Sequence, residues 1–371
     1  MAHVRGYAPI KVLPGSMRAC QIIEFNRPHQ IRRIPTPDTL KPHDILLKVA
    51  VSALCHSDLE YQNGTLDCTL PVTASHEGTG VVIAKGDAVT RFVIGDRIMA
   101  GQTFDRCGEC DDCKGPENYQ HYCEHQGPMM STERNGAFQE YLVVDARQAC
   151  RIPDKMSFLT AAPLACAGIT IWRALLQTEL KPGQWLAIIG SGGGLGHLGV
   201  QFAKAQGLNV IGTDARDDGI SLSREVGADL VLDARLGKEE VVREVFKATG
   251  GRGVDATITV SDAKAATATA CAITRRHGIM VYVPVGHEVC IPYQDIIFRD
   301  IRVKGSFLCS PKEAEEMLDV VVKHNIKVSS SVFHGIEEIP KVVDMLRKGK
   351  YQGKGVIVID EDAVKREQGQ L

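Results

Sequence analysis

The sequence predicts an α/β protein in two parts, an irregular β-rich domain followed by a doubly wound parallel sheet. Three observations carry this. Residues 17 to about 160 are rich in short β-type runs broken by proline and glycine. Beyond them, short apolar runs alternate with stretches of helical spacing. A glycine-rich turn, Gly190 to Gly196, separates the first of those runs from the first of those helices. A chain of 371 residues also exceeds one ordinary core, so two domains are expected.

In chain order, Ile45 to Val51, Gly80 to Ala84 and Phe138 to Val144 read as strands of the first domain. Leu186 to Ile189 is a short apolar run suited to a buried strand. Leu195 to Gln206 comes next, with Leu198, Phe202 and Ala205 on one helical face. Strands are expected at Val210 to Thr213, Leu230 to Leu232, Ala256 to Val260, Ile279 to Val285 and Ile301 to Gly305. Helices are expected near Glu239 to Thr249, Ala263 to Thr274 and Pro311 to Lys323. Such alternation implies parallel βαβ units. The tail ends in a β-like run, Gly355 to Asp360.

Composition narrows the function. Apolar content of 44% and charged content of 24% are those of an ordinary globular protein. A net charge of −2 gives no general attraction to nucleic acid or to anionic membrane. No apolar run approaches the roughly 20 residues of a membrane span. Met1 to Ser16, which carries Arg5, Lys11 and two prolines, reads as a short extension rather than a signal peptide. Twelve cysteines are diluted over the whole chain, and six sit in metal-type patterns. A reducing compartment, the cytosol, fits better than a disulfide scaffold.

Cys107, Cys110 and Cys113 are spaced C-x2-C-x2-C, and Cys123 lies a little further on. Four thiolates at these offsets suit a closed tetrahedral structural zinc that staples a loop. A second set lies outside this cluster: Cys55, the pair His76-Glu77, and Cys166. Two cysteines and one histidine leave a fourth position open, as a catalytic zinc requires. Asp58 is a candidate partner for the other nitrogen of His76.

In the turn Gly190-Ser191-Gly192-Gly193-Gly194-Leu195-Gly196, glycines let backbone N–H groups approach a pyrophosphate at a helix N-terminus. Read from Gly190, it is one residue longer than G-x-G-x-x-G; a strict match, Gly194 to Gly199, starts late, inside the helix. Asp214 ends the next strand and suits adenosine ribose hydroxyls, which favours NAD(H) over NADP(H). Arg216 nearby reads as a solvated loop charge rather than a phosphate receiver.

Together, Cys55-His56-Ser57-Asp58-Leu59, His76-Glu77-Gly78-Thr79-Gly80, the cysteine lobe, Ala165-Cys166-Ala167-Gly168-Ile169-Thr170 and the Gly190 turn resemble the zinc-dependent medium-chain dehydrogenases, alcohol dehydrogenase branch, from about Met17 to Asp360. The longer turn is similar to that of the microbial, tetramer-forming subgroup. The resemblance implies a GroES-like catalytic domain (1–160 and 325–371) and a Rossmann coenzyme domain (161–324). It implies two zinc ions per chain, NAD(H), a small-molecule alcohol or carbonyl substrate, and a homotetramer.

Position by position, it implies that Cys55, His76 and Cys166 hold the catalytic zinc, with Glu77 able to approach it. Ser57 would meet the substrate oxygen and begin a proton relay. His56 would contact the pyrophosphate and Thr170 the nicotinamide. Val283, Val285 and Ser306 would orient the cofactor through their backbone, and Lys354 would take the place of a phosphate-binding arginine. Gly190, Gly192, Gly193, Gly194, Leu195, Gly196 and Asp214 form the nucleotide site.

Four departures stand out. The lobe has nine residues before Cys123 where seven are usual, and Ser75 stands where a glycine usually precedes the histidine. Glu60 replaces a relay histidine; histidine exchanges protons near neutrality, whereas a glutamate's reference value is about 4.3. Leu66 and Gln102 stand where ethanol-using enzymes place tryptophans, which implies a substrate larger than ethanol, of the kind met in specialised metabolism. Two other readings remain: reduction of a C=C or C=N bond on the same fold, and a non-catalytic zinc- and nucleotide-binding protein.

Overall fold

In the computed structural model of the chain, which describes residues 8–9, 13–285 and 288–369, the polypeptide forms two compact units. The N-terminal extension lies largely outside the described residues. The first unit comprises Met1–Cys166, Ser310–Leu318 and Ser330–Leu371; the second comprises Ala167–Cys309 and Asp319–Ser329.

The first unit is organised by one long strand, Asp44–Leu54. Ile45, Leu46, Leu47, Val49 and Val51 are all buried, because both faces of the strand are covered. Glu77–Lys85 and Tyr141–Asp145 pair antiparallel with it, and Lys354–Val358 brings the chain's end into the same sheet. Apolar side chains of these strands pack with Phe92, Phe104 and Met130 on one side and with Leu59, Phe138, Ile336 and Val342 on the other. The register of the long strand positions the metal-type residues. Ala53 lies opposite Glu77, so the antiparallel pairing brings Cys55, just past the end of one strand, to His76, just before the other.

The second unit holds a six-stranded, all-parallel sheet in the order Leu230–Asp233, Asn209–Asp214, Trp185–Ile189, Val254–Thr259, Thr274–Tyr282, Arg302–Gly305. The order reverses between Trp185–Ile189 and Val254–Thr259. Ligands of open parallel sheets bind at such a reversal, beyond the carboxyl ends of the strands. The Gly190 turn leaves the sheet at that point and enters the helix Gly196–Ala205.

Two expectations change. Thr274–Tyr282 starts before and ends before the expected strand, so Val283 and Val285 lie beyond its end. Its first half carries Arg275, Arg276, His277 and Gly278, which hide the apolar pattern. The expected absence of an apolar run of membrane-spanning length also fails. The helical stretch Phe158–Gln177 has 20 residues and is apolar enough by composition, but most of it is buried inside the protein, so it is read as a core helix. Cys166 lies in its π-helical turn, Leu164–Gly168, a distortion that often marks a functional position.

Candidate active site

Cys55, His76, Glu77 and Cys166 come together in the first unit, with one ligand atom from each within 4.8 Å of the others. The Cys55 and Cys166 sulfurs are 4.0 Å apart and unbonded, a spacing for two thiolates on one ion rather than a disulfide. Each side chain arrives from a different element: Cys55 after the long strand, His76 and Glu77 at the start of the strand beside it, and Cys166 from the π-turn.

The electrostatics fit a cation. The hydrogen bond that Cys55 and Cys166 share holds the Cys55 thiol well below its ordinary value, and the same bond together with burial pushes Cys166 up. Burial pulls the His76 imidazole down, but the Cys55 sulfur, Asp58 and Glu77 outweigh it and raise it to about 9. Burial pushes Glu77 up to about 7 against the pull of Lys354. Lys354 Nζ lies 2.7 Å from Glu77 Oε1, both groups almost fully buried, while Glu77 Oε2 has no protein partner. Buried sulfurs and oxygens left in this condition are the donor set of a zinc site.

The surrounding residues hold this set in place. Ser57 begins the helix Ser57–Asn63, its hydroxyl 3.3 Å from the Cys55 sulfur. Asp58 accepts from the backbone N–H of Cys55 and of Ser75, each at 2.9 Å. The carboxylate expected on the second nitrogen of His76 therefore grips the main chain on both sides of the site and acts on the imidazole through its charge. His56 and Glu60 pair at 3.4 Å, one helical turn apart. Gln102 donates to Ala165 O, next to Cys166, at 2.8 Å.

Cys107, Cys110, Cys113 and Cys123 form a second group, again with ligand atoms within 4.8 Å. Backbone N–H groups of Glu109 and Cys110 point at the Cys107 sulfur, at 3.4 and 3.3 Å, and pull its thiol down to about 6. Donors aimed at sulfur in this way favour thiolate, the form a metal binds. Asp105, held by Lys41 and Arg134, ties the base of the lobe to the domain.

In the second unit, Gly190 turns with φ 89, a conformation glycine adopts without strain. A Cβ on Gly192 would collide with the Gly219 backbone. Asp214 accepts from the Gly192 N–H at 3.0 Å and from the Arg216 N–H at 3.1 Å. Arg216 also faces Asp214 and Asp218 through its guanidinium, at 3.4 and 3.6 Å. The close backbone cradle at the N-terminus of Gly196–Ala205, with Gly193, Gly194 and Leu195 at its mouth, fits a dinucleotide pyrophosphate. The N–H groups of Val283 and Ser306 are bonded to Thr259 O and Tyr282 O. Val285 is exposed, and Thr170 lies in the helix Ile169–Gln177.

Lys354, which the resemblance puts at a cofactor phosphate, has its ammonium buried against Glu77. The pairing joins residues far apart in sequence, and only the return of Lys354–Val358 to the first sheet reveals it.

Comparison with known proteins agrees with this geometry. Residues 41–154 match the alcohol dehydrogenase GroES-like domain, and residues 194–323 match the zinc-binding dehydrogenase domain. An alcohol dehydrogenase of Geobacillus stearothermophilus is 34% identical over 348 residues, covering 93% of this chain and all of that protein. The chain belongs to the zinc-dependent medium-chain dehydrogenases of the alcohol dehydrogenase type. Among solved relatives, the alcohol dehydrogenase of the archaeon Aeropyrum pernix superposes with a TM-score of 0.83 at 28% identity, over 92% of this chain and 99% of that one. A cinnamyl alcohol dehydrogenase of Sorghum bicolor gives 0.82 at 25% identity, over 92% and 97%. The protein is thus a zinc alcohol dehydrogenase working with a nicotinamide cofactor on alcohols or their carbonyl counterparts.

Two substitutions separate the metal groups. Cys55→Ser is expected to lose one zinc of two and to lower kcat/KM at least about 100-fold, beyond the 10–100-fold typical of outer partners. Cys113→Ser is expected to lose the other zinc and to lower the Tm. Metal content by atomic emission, beside kcat/KM and a thermal melt, checks both. Two zinc ions retained in Cys55→Ser contradict the assignment.

Proposed function

We propose that the protein catalyses reversible NAD(H)-linked oxidation of an alcohol bulkier than ethanol, as a homotetramer in the cytosol. The observation that carries the reading is the convergence of Cys55, His76 and Cys166 beside a glutamate with one unpartnered oxygen. When bound, zinc supplies Lewis-acid polarisation of the substrate oxygen and nicotinamide supplies the hydride acceptor. The chain's own residues do the rest. Cys55 and Cys166 as thiolates balance a divalent cation, and Lys354 balances Glu77. Ser57, beside Cys55, would take the proton of a substrate hydroxyl while passing its own to the cofactor ribose hydroxyls and on to solvent. His56, which caps the same helix, pairs with Glu60 one turn on. Asp58 fixes the backbone that carries Cys55 and the residue before His76.

For the cofactor, the buried carboxylate of Asp214 favours ribose hydroxyls and repels a 2′-phosphate, and Arg216 is engaged by Asp214 and Asp218. For the substrate, Leu66 and Gln102 stand where ethanol-using enzymes place tryptophans, and a relative of similar fold is a cinnamyl alcohol dehydrogenase. None of the twelve cysteines is joined in a disulfide, which fits a reducing compartment. Arg302–Gly305 is a sheet edge, and Val289, Tyr293, Ile297, Phe298 and Val303 near it are exposed. Such an edge is a place for a second copy to dock.

Three measurements test this reading. A panel of alcohols, aldehydes and ketones, followed by nicotinamide absorbance, is expected to give a higher kcat/KM for aryl or branched substrates than for ethanol, and at least about a tenfold preference for NAD(H), equal to about 1.4 kcal/mol. Ethanol as best substrate, or NADP(H) as preferred cofactor, overturns that part. Glu60→His is expected to shift the pH–rate profile; an unchanged profile removes Glu60 from proton transfer. Phe298→Asp with Val303→Lys is expected to dissociate the oligomer in sedimentation velocity, and an unchanged sedimentation coefficient rejects that surface.

A further inference from the structure

Ser75 is an odd residue to find where it is. Its backbone has φ 68, in the left-handed region that favours glycine, and its side chain is wholly buried. A buried serine held in that conformation needs its hydroxyl to compensate, and the hydroxyl is fully committed. It donates to Ala53 O at 2.8 Å. It accepts from the Glu77 N–H at 3.2 Å and lies 2.9 Å from the Ser52 hydroxyl, whose single proton is shared between Ser75 Oγ and Glu77 O. One donor and two lone pairs are all a hydroxyl has. The Ser75 N–H in turn donates to Asp58, whose other oxygen takes the Cys55 N–H. Ser52 also reaches Glu77 O at 3.2 Å.

These bonds share one geometry. Ala53 lies two residues before Cys55, and Ser75 and Glu77 flank His76 on either side. The hydroxyl therefore joins the strand that delivers one sulfur to the segment that delivers the imidazole and the carboxylate. The ordinary ladder cannot do this, because it ends at the Ala53 and Glu77 pair.

We propose that Ser75, supported by Ser52, is a positioning residue that locks Cys55, His76 and Glu77 into one rigid donor set and so governs how long the metal stays bound. The proposal rests on the assignment of a zinc to this set. Partners of metal ligands are typically worth 10–100-fold in metal affinity or activity, and a lock between ligand-bearing strands acts chiefly on release.

Ser75→Gly relieves the backbone and deletes the hydroxyl, whereas Ser75→Ala deletes the hydroxyl and keeps the unfavourable φ. Ser52→Ala removes one support without touching the turn, and serves if the Ser75 variants fold poorly. In the full-length protein, zinc release to a chromogenic chelator is followed in each, and the relevant phase is the one missing from Cys55→Ser. The expected result is release about 10–100-fold faster in Ser75→Gly, with the Tm near that of the parent, and a smaller acceleration in Ser52→Ala. Ser75→Ala is expected to match Ser75→Gly in release but to melt lower. Release at the parent rate in both Ser75→Gly and Ser52→Ala overturns the proposal. A parent that binds only one zinc overturns the underlying site assignment instead, so the two failures are told apart.

Discussion

The structure of the first unit depends on one electrostatic constraint. Two thiols, an imidazole and a carboxylate occupy the same buried space, and none is easily charged there alone. A divalent cation resolves the conflict for the thiolates, and Lys354 resolves it for Glu77. The strand register, the π-turn at Cys166 and the turn at Ser75 then read as the means by which one protein holds mutually repelling donors a few ångströms apart. This is also why Cys55, His76 and Glu77 come from the ends of strands and Cys166 from a distorted helical turn. Strand interiors would bind the same backbone groups into a ladder and leave no freedom to aim the side chains.

The cysteine lobe solves a simpler problem. Its four sulfurs come from one short stretch, so local spacing suffices, and backbone donors at Cys107 prepare a thiolate. A closed four-sulfur set has no place for substrate and acts as a staple. The second unit contributes a strand order that opens at one point. It adds a glycine turn fixed from behind by Asp214 and the Thr213 carbonyl, so that the mouth of the turn faces a ligand.

Much of this is legible in the sequence, and unevenly so. The metal donors are visible because cysteine and histidine in such spacing have few bland uses, and the Gly190 turn because a strand and a helix flank it. The alternation of buried strands with helices reveals the parallel sheet. The start of Thr274–Tyr282 is hidden because its opening residues, Arg275 to Gly278, look like a loop. Phe158–Gln177 is hidden because Pro163, Gly168 and Arg173 interrupt a run that tertiary burial makes helical. The pairing of Lys354 with Glu77 is hidden because nothing in a linear chain says that a C-terminal strand returns beside Glu77. Ser75 stands out as a departure, but its backbone conformation and triple bonding exist only once three segments meet.

The central claim is that an open metal site forms at Cys55, His76 and Cys166. The most direct measurement is a crystal structure with anomalous maps collected across the zinc absorption edge. Two peaks are expected: one inside the cysteine lobe, and one about 2.3 Å from the sulfurs of Cys55 and Cys166 and about 2.1 Å from a nitrogen of His76. A single peak in the lobe, with Cys55 and Cys166 empty or joined as a disulfide, would contradict it.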